Sequence, residues 1–459
     1  MSLGFNPFRA RLIALVALGI GAGLGGCAGY HSRPLPTAAV DHASIAALRI
    51  DPARLRLEPL KSIVVDPRDG LDPLEVAVLA VLNNPDLEAK RAAAGVTAAQ
   101  VFTAGLLPDP QIANSFDHPI SGPDHHNAFT LTPTIDLAAL MARSFVRRGA
   151  RDLGRQADLN LLWAEWGVAQ QARQLAETVL ADEDRARVLQ VIATAAAQRA
   201  EQTDRALARQ DVTLQTAAAD LAVKLDAQTQ LGTALHDAAK ARRDLGALLN
   251  LAPAVTLPLV RGPSAAPYTA AALDAYLASL PARRPDLLAL QAGYSAQDAT
   301  LRKAILAQFP ITQIGAAIAR DPANTVTIGV SSILALPIFN GGRGELRLQT
   351  ATREQLRAEY QARLDQAAVE SRSAAAELAA ASASAAALRL EVPRLEGLVR
   401  PAQAAYRRGD LDSQTYLTLS QSALARRADL DDRELAAKVA EIQLETALFI
   451  PPASARISP

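Results

Sequence analysis

The sequence predicts a mainly α-helical protein with a small β part, in which one plan of long helices and short strands is written twice. Alanine, leucine and arginine are abundant among the 459 residues, whereas aromatic residues make up only 4%. This composition is typical of long helices that approach one another closely. Short stretches in which threonine alternates with apolar residues interrupt the helical pattern and predict strands.

The N-terminus has the pattern of a bacterial secretory signal. Arg9 and Arg11 precede an apolar stretch that is too short to cross a membrane as a helix. The stretch ends at positions 24–27 in the residues LGGC, which are similar to a lipobox, and Cys27 is the only cysteine of the chain. We therefore predict that residues 1–26 are removed and that Cys27 carries a covalent lipid. This lipid would anchor the protein at the cell outer membrane, from which it extends into the periplasm.

Charge and motifs exclude two broad classes of function. Lys and Arg together number 47, as do Asp and Glu, so the net charge is zero and no basic face for a nucleic-acid partner is expected. The chain contains no nucleophile elbow, phosphate-binding loop or zinc-protease motif. The sequence thus predicts neither an enzyme nor a cofactor other than the lipid on Cys27.

An internal duplication organises the chain. Residues 84–87 (NPDL) recur as residues 284–287 (RPDL), and residues 209–216 (RQDVTLQT) recur as residues 408–415 (RGDLDSQT), each about 200 positions later. Matches in the same order at nearly one spacing indicate two repeats. The predicted organisation is a signal peptide (1–26), an N-terminal extended segment (27–70), a first repeat (71–253), a linker (254–280), a second repeat (281–450) and a C-terminal tail (451–459).

Helix lengths constrain the architecture. The first repeat predicts helices over 73–106, 143–209 and 212–250, and the second predicts helices over 343–408 and 412–449. A helix over 143–209 would be about 100 Å long, which no compact globule of this size accommodates. The two shorter helices of a repeat sum to nearly that length. We expect them to stack end to end beside the long helix, as in a coiled coil with one broken strand.

The strand segments predict part of a β-barrel. Residues 129–137 (FTLTPTIDL) and 325–330 (TVTIGV) alternate apolar side chains with polar ones. Two hairpins would give four strands per chain, and an open sheet cannot lie in lipid with unpaired backbone groups. Several chains would therefore share one barrel, and three chains would supply twelve strands. The candidates for its wet lumen are Thr130, Thr132, Thr134, Asp136, Thr325 and Thr327.

These motifs resemble the outer-membrane factor, or TolC-like, family of bacterial efflux systems, over residues 70–450. The residues that carry the resemblance are 74–77 (LEVA), 83–87 (NNPDL), 104–110 (AGLLPDP), 284–287 (RPDL), 336–343 (LPIFNGGR) and 406–410 (YRRGD). The resemblance implies a homotrimer with a twelve-stranded barrel in outer-membrane lipid and a long helical tunnel in the periplasm. It also implies two partners, a periplasmic adaptor (membrane fusion) protein and an inner-membrane pump.

The implied function is a passive exit duct for small molecules in a tripartite efflux system of the resistance-nodulation-division (RND) type. Residues 104–110 also resemble the heavy-metal branch of the family, so a metal-ion duct is an alternative. A duct for type I protein secretion shares the fold. A periplasm-spanning lipoprotein without a pore is a further alternative, although such a spacer has no use for alternating strands between its helices.

The turns that follow the long helices are candidates for the periplasmic tip, where the duct would narrow. Gly409 suits the left-handed position of such a turn, and the equivalent turn has no glycine, so the two tips are expected to differ. The family often carries aspartates just inside this turn, whereas Thr415 and Thr418 occupy those places here. The tip and constriction candidates are Arg209, Asp211, Tyr406, Arg408, Gly409, Asp410, Thr415 and Thr418.

Two further groups of residues have competing interpretations. A loop between two strands contains several residues of the types that bind transition metals. Because they do not lie at ligand spacing on one rigid element, we interpret the segment as a solvated loop and predict no metal site. These loop residues are Asp117, His118, Asp124, His125 and His126. Trp163 and Trp166 could anchor the long helix near a membrane interface or could simply pack.

Overall fold

The computed structural model describes residues 30–123, 126–262, 270–309, 311–334 and 338–451. Cys27, the signal peptide, Asp124, His125 and the tail from residue 452 lie outside these ranges, so the predictions on them remain predictions. Residues 30–41 form a unit of their own, which has no regular secondary structure and is exposed throughout. The fold described below is that of the unit beginning at His42.

Nine helices and four strands make up the described part of this unit. The helices are α1 (Glu58–Lys61), α2 (Pro73–Asn83), α3 (Pro85–Gly105), α4 (Leu137–Ala208), α5 (Leu214–Leu248), α6 (Ala270–Arg283), α7 (Pro285–Leu306), α8 (Arg343–Arg408) and α9 (Ser413–Leu448). The strands are β1 (Gln111–Asp117), β2 (Ala128–Asp136), β3 (Ile311–Arg320) and β4 (Val326–Leu334). No helix among the described residues is both long enough and apolar enough to cross a membrane.

The duplicated plan is confirmed element by element. Each repeat runs as a short helix, a medium helix, a hairpin, a long helix and a returning helix. The long helices have 72 and 66 residues, and the returning helices have 35 and 36. At 1.5 Å per residue the long helices span about 100 Å.

The predicted helix over 73–106 is two helices that break at Asn84. Asp72 caps α2 with a capping box that includes Glu75, and Pro73 occupies the first helical position. Pro85 disfavours the helical conformation of Asn84, which has φ −65° and ψ 125°. The Asn84 side chain then accepts a hydrogen bond from the backbone N–H of Leu87 and starts α3.

The end-to-end stacking of the shorter helices is present in both repeats, and equivalent side chains hold it. Asn84 Nδ2 donates to the carbonyl of Leu248 at 3.0 Å, which joins the start of α3 to the end of α5. Arg284 Nη1 donates to the carbonyl of Ala447 at 3.0 Å, which joins the start of α7 to the end of α9. Each medium helix therefore continues the line of a returning helix. In the first repeat, α3 and α5 pack against α4; in the second repeat, α7 and α9 pack against both α4 and α8.

The helices are arranged in the same order of repeats next to the strands and beyond the stacking points. Beside the strands, α3 packs on α4, α4 on α7 and α7 on α8; beyond the stacking points, α5 packs on α4, α4 on α9 and α9 on α8. The sheet order is β1–β2–β3–β4, all antiparallel. The outermost elements are therefore those of the first repeat on one edge and those of the second repeat on the other.

Two predicted boundaries are wrong. The linker predicted over 254–280 contains most of α6, which occupies the place in the second repeat that α2 has in the first. The segment predicted as extended over 27–70 forms short 3₁₀ turns and α1 within its described part, and it buries Leu48, Leu55, Leu57 and Leu60 in the main core. Burial of these leucines explains why the segment follows the surface of α2 and α4 instead of extending into solvent.

Buried ion pairs tie the helices together around the stacking points. Glu165 and Glu445 are fully buried, and they bind Arg91 at 2.9 Å and Arg173 at 2.6 Å respectively. Arg284 is also fully buried and binds Asp286 through two hydrogen bonds of 3.0 and 2.7 Å. Because charges buried without partners are costly, these pairs fix which helix faces meet.

Trp163 and Trp166 pack within this region. Trp166 is 3% exposed, donates from Nε1 to the carbonyl of Thr446 at 3.3 Å and packs edge-on against Phe449. The guanidinium of Arg284 lies 4.7 Å from the centre of the Trp163 ring. Both tryptophans are about 40 Å along α4 from the end of β2. These contacts support the packing interpretation.

Candidate functional site: the amphipathic sheet and the two helix turns

The four strands form one sheet with two chemically different faces. Directly paired residues of antiparallel strands lie on the same face, so the register assigns every side chain. One face carries large apolar side chains that are exposed: Ile112, Phe116, Leu131, Ile135, Ile314, Val326, Ile328, Val330 and Leu334. Its polar members are Asn114, Arg320 and Ser332. An exposed apolar surface of this kind marks a surface that another apolar medium or molecule covers.

The opposite face is polar or small. It carries Ala113, Ser115, Thr130, Thr132, Thr134, Asp136, Gln313, Gly315, Ala317, Thr327, Gly329 and Ser331, with Ile333 as its apolar exception. Five of the six lumen candidates therefore share one face. The sixth, Thr325, lies in the β3–β4 turn, where its N–H donates to Asp321 Oδ1 at 2.7 Å. Asp136 also has a local role, since its Oδ1 accepts from the N–H of Ala139 and caps α4.

Strands β2 and β3 approach each other closely at Gly315. This residue pairs with Thr134 on the polar face, and a Cβ built there would lie 2.1 Å from the carbonyl oxygen of Pro133. Gly329 lies on the same face of β4, and a Cβ built there would meet nothing within 4 Å. Only the first of these two glycines is therefore required by packing.

The hairpin loop that gathers potential metal ligands shows a different contact. His118 Nδ1 lies 2.7 Å from the side-chain oxygen of Asn127, and Asp117 belongs to β1 as the partner of Ala128. In the described part of the chain, no group of three or more His, Cys, Asp or Glu side chains could hold a metal ion. His125 and Asp124 lie outside this part.

The two turns at the far ends of α4 and α8 have the same backbone. Gly409 has φ 81° and Gln210, at the equivalent position, has φ 65°, so both occupy the left-handed region. In each turn the next N–H reaches back to a helix carbonyl at 2.9 Å, from Asp211 to Ala206 and from Asp410 to Ala405. The first turn therefore has the same backbone as the second although it contains no glycine. The prediction that the two tips differ was based on this missing glycine, and the backbone does not show that difference.

Equivalent ion pairs also close both turns. Arg209 Nε donates to Asp211 Oδ2 at 3.0 Å, and Arg408 Nε donates to Asp410 Oδ2 at 2.7 Å. These four charged residues are exposed and paired within their own turns. The arrangement presents one arginine and one aspartate at each turn.

Side chains do distinguish the two turns. Tyr406 and Tyr416 stack in parallel with ring centres 5.3 Å apart, whereas the equivalent positions of the first turn hold Leu207 and Ala217. Asp412 caps α9 by accepting from the hydroxyl of Thr415 at 2.6 Å and from its N–H at 2.9 Å. These hydrogen bonds hold the pKa of Asp412 below its ordinary value.

A contact that the sequence did not reveal links the two turns. Arg199 of α4 donates to the carboxylate of Asp220 in α5 at 2.7 Å and to the side-chain oxygen of Gln414 in α9 at 2.9 Å. Thr418, by contrast, bonds back to the carbonyl of Gln414 within its own helix. Arg199 thus joins elements of both repeats near the turns.

Comparison with solved structures identifies this architecture. Similar folds are found in a membrane protein of Pseudomonas aeruginosa (19% identity, TM-score 0.69, covering 92% of this chain and 99% of that one) and in the outer-membrane channel CmeC of Campylobacter jejuni (15% identity, TM-score 0.69, 92% and 94%). The outer-membrane channel MtrE of Neisseria gonorrhoeae, in its open state, is also similar (16% identity, TM-score 0.63, 82% and 88%).

The chain has the TolC-like outer-membrane factor fold. No protein-family model and no curated protein sequence matches it, so the likeness rests on structure and not on sequence. Within the outer-membrane factor fold, the amphipathic sheet and the paired turns lie at the two ends of the long helices.

Proposed function

We propose that this chain is a subunit of a passive exit duct in the bacterial outer membrane, through which small molecules leave a tripartite efflux system of the RND type. A periplasmic adaptor protein and an inner-membrane pump would be its partners, and the pump would supply the energy. The observation that carries the proposal is the open four-stranded sheet, which has an exposed apolar face. The sheet lies at one end of helices that are about 100 Å long.

The sheet has the dimensions and chemistry of a membrane wall. Strands β2, β3 and β4 have 9, 10 and 9 residues, and a tilted transmembrane strand needs about 9–11. Its exposed apolar face suits lipid, while its threonine-rich face suits water. Thr130, Thr132, Thr134, Asp136 and Thr327 would then line the lumen, and Thr325 would lie at its rim.

Ring closure by copies of the same chain follows from the edges. Among the described strands, the outer strands β1 and β4 each pair with one neighbour only. Lipid does not tolerate a sheet edge whose backbone groups lack a strand partner. Elements of the first repeat form one edge in the sheet and in both levels of the helical layer, and elements of the second repeat form the other. One type of head-to-tail contact between neighbouring copies would therefore pair the strand edges and pack the helix edges at the same time. Repeating this contact would close a ring. Three copies would supply twelve strands, within the range of known outer-membrane barrels.

The turns at Gln210 and Gly409 would form the periplasmic tip. They lie at the ends of the long helices opposite the sheet, and each presents an arginine–aspartate pair. Three copies would present six turns of two kinds, distinguished by the stacked Tyr406 and Tyr416. Arg209, Asp211, Arg408 and Asp410 would contact the adaptor or the neighbouring turns, and Thr415 and Thr418 would stand where the family often has aspartates.

The alternatives differ in cargo or in the presence of a pore. A heavy-metal duct and a type I secretion duct share this fold, and the genes beside this one would separate them: a proton-driven pump supports efflux, and an ATP-binding exporter supports secretion. The exposed apolar sheet face favours the duct over a spacer lipoprotein without a pore, because lipid would cover this face whereas a spacer in the periplasm would need a further apolar partner to cover it.

Planar-bilayer recordings test the duct. Purified protein with the mass of three chains is expected to insert and to give discrete conductance steps, because twelve strands would enclose a wet lumen. Protein denatured before reconstitution serves as the control. Insertion of the intact trimer without any conductance, under conditions that open known channels, would refute the duct and leave the spacer.

The lipid anchor has its own test. Cys27→Ser is expected to abolish incorporation of labelled palmitate, because a serine hydroxyl does not replace the thiol that the lipidation pattern requires. Conductance of the purified variant is expected to persist, since the barrel would hold the trimer in lipid by itself. Palmitate labelling that survives in the variant would overturn the assignment of Cys27.

A further inference from the structure

Three arginines stand close together on α4, a short distance after the strands. Arg148, Arg151 and Arg155 are exposed, and within the described part of the chain none of them forms an ion pair or a hydrogen bond. Arginines three and four positions apart on a helix lie side by side, so their charges repel one another. Asp152 is the one acidic residue from position 148 to position 155, and it leaves this stretch with a net positive charge.

The arginines lie on the face of α4 that the small helices cover further from the sheet. Arg148 and Arg155 precede Leu162, Ala169 and Ala176 by whole heptads, and positions at this spacing stay on nearly one face of a packed helix. Ala169 and Ala176 are buried in the main core, and Leu162 packs against it. This core also contains α2 and the segment before it. The arginines therefore point to the same side of α4 as these elements.

The covering segment ends just before it reaches the arginines. Arg56 of this segment binds Asp158 at 2.7 Å, three positions beyond Arg155 on α4. The neighbouring helix α3 offers no compensating charge, because positions 92–107 contain no charged residue. The exposed arginines are thus left with their positive charge between the covered part of α4 and the sheet.

The second repeat has no equivalent patch. In α8, the heptad positions that lead to the buried Ala367 and Ala374 are occupied by Leu346, Arg353 and Tyr360. Arg353 binds Asp298 of α7 at 3.5 Å, so the arginine of this column is paired. Each chain therefore presents the unpaired group on this face once, on the first repeat.

If the proposed duct is correct, this face belongs to its outer wall. Three chains would place twelve long and medium helices around the ring next to the strands. With about 10 Å between neighbouring helices, the ring would leave an opening of roughly 30 Å. The small helices α2 and α6 of three chains would fill that opening, so they must lie outside it. The arginines would then lie on the same side as the apolar, lipid-facing surface of the sheet.

The distance of the arginines from the strands matches the headgroup layer of a membrane. Exposed apolar side chains continue beyond β2 to Leu140 and Met141, about 7 Å along α4. The headgroup layer extends about 5–7 Å beyond the hydrocarbon. Arg148 lies about 18 Å from the end of β2, and its side chain leans back toward the sheet by about one helical turn. Its guanidinium therefore falls within that layer, whereas Arg151 lies at the lower edge and Arg155 lies below it.

We propose that Arg148 and Arg151 bind the phosphate of a phospholipid at the periplasmic surface of the outer membrane, while the acyl chains of the lipid cover the apolar sheet face. A guanidinium suits this role because it gives two parallel hydrogen bonds to a phosphate. The proposal rests on the proposed duct, since headgroups reach this level only if the sheet lies in lipid. One patch per chain would hold three such lipids around the ring.

Native mass spectrometry of the full-length trimer in a neutral detergent tests the patch with three probes. Phosphatidylglycerol is anionic, phosphatidylcholine carries a neutralising ammonium group, and glycerol 3-phosphate is a headgroup without acyl chains. The first three phosphatidylglycerol molecules are expected to bind at least about fivefold more tightly than phosphatidylcholine, the factor that one arginine contributes near an anionic lipid surface. Equal affinity for glycerol 3-phosphate would show that the acyl chains contribute nothing and would overturn the lipid assignment.

A series of single variants tests the depth of the patch. Arg148→Gln is expected to weaken phosphatidylglycerol binding about fivefold, and addition of Arg151→Gln is expected to raise the loss above about tenfold. Arg155→Gln, on the same face but one turn further from the membrane, is expected to cost less than about twofold. Arg372→Gln removes an exposed, unpaired arginine about 44 Å from the start of α8 and is expected to change nothing. The trimer mass in the same spectra confirms that each variant assembles.

The outcomes separate the patch from the duct. An equal loss in Arg148→Gln and Arg372→Gln would show a general effect of charge and would overturn the patch. Planar-bilayer conductance of the same preparation decides the duct independently. A conducting trimer without preference for phosphatidylglycerol refutes the patch alone. Arginine-dependent lipid binding by a protein that never inserts into a bilayer would refute the duct and the membrane role of the patch together.

Discussion

Arg284→Met is expected to lower the free energy of unfolding by about 3–5 kcal/mol, the usual cost of removing one partner from a buried ion pair. Arg284 is fully buried and holds four groups at once: Asp286, Glu370, the carbonyl of Ala447 and the ring of Trp163. Methionine replaces the packing of the side chain but none of its five donors. Asp286 would keep Arg363 at 2.7 Å, so we expect the loss near the lower end of this range.

Denaturant unfolding followed by helical circular dichroism measures this effect. Arg302→Met is the matched control, because Arg302 lies in the same helix and pairs with Asp298 one turn away, but is half-exposed. A surface pair of this kind contributes about 0.5 kcal/mol or less. Equal stability of Arg284→Met and Arg302→Met would contradict the role of Arg284 as the joint between α7 and α9.

The same pair predicts a dependence on pH. Burial alone would raise the pKa of Asp286, but the hydrogen bonds and charges of Arg284 and Arg363 outweigh it and hold the pKa below the ordinary aspartate value. A lowered pKa in the folded state contributes stability that is present above the unfolded value, about 4, and is lost as the pH falls through the folded value. Wild-type stability is thus expected to fall below pH 4, and this acid-dependent part should shrink in Arg284→Met.

Local signals in the sequence were enough to predict most helix ends. The long helix of the second repeat was predicted over 343–408 and is found at Arg343–Arg408, since glycines with positive φ stand at both ends, Gly342 and Gly409. The long helix of the first repeat begins at Leu137, six residues before the predicted start. Asp136 caps it directly at the end of β2. Asp136 is recognisable as a capping residue in the sequence. The alternating pattern of the strand continues through it, however, so the sequence did not indicate that the helix begins at Leu137.

Contacts between distant residues could not be predicted in this way. Arg173 and Glu445 are 272 positions apart, and Arg199 and Gln414 are 215 apart. Nothing local to either residue indicates its partner, because the pairing depends on which helix faces meet. The motif RPDL showed that residues 284–287 were part of a repeat, but not that Arg284 is buried.

The two glycines of the sheet make the sharpest test of its register. Gly315→Ala is expected to destabilise the pairing of β2 with β3 by about 1–3 kcal/mol or more, which is the cost of overpacking a well-packed position. The added Cβ would lie 2.1 Å from the Pro133 carbonyl oxygen and 2.8 Å from Cγ2 of Thr134. A backbone oxygen cannot rotate away as a side chain can, so β2 and β3 would have to separate. In a closed ring of copies, this cost would recur once in every chain.

Gly329→Ala provides the comparison on the same face of the same sheet, where a Cβ meets nothing within 4 Å. Alanine also fits an extended strand better than glycine does. We therefore expect Gly329→Ala to assemble and conduct like the wild type, and Gly315→Ala to give a lower thermal midpoint and less trimer in the outer-membrane fraction. Loss in both variants would indicate that the polar face as a whole tolerates no added carbon. Normal assembly of Gly315→Ala would instead mean that β2 and β3 do not pair as Thr134 with Gly315, and the assignment of Thr130, Thr132 and Thr134 to a single face would fall with that register.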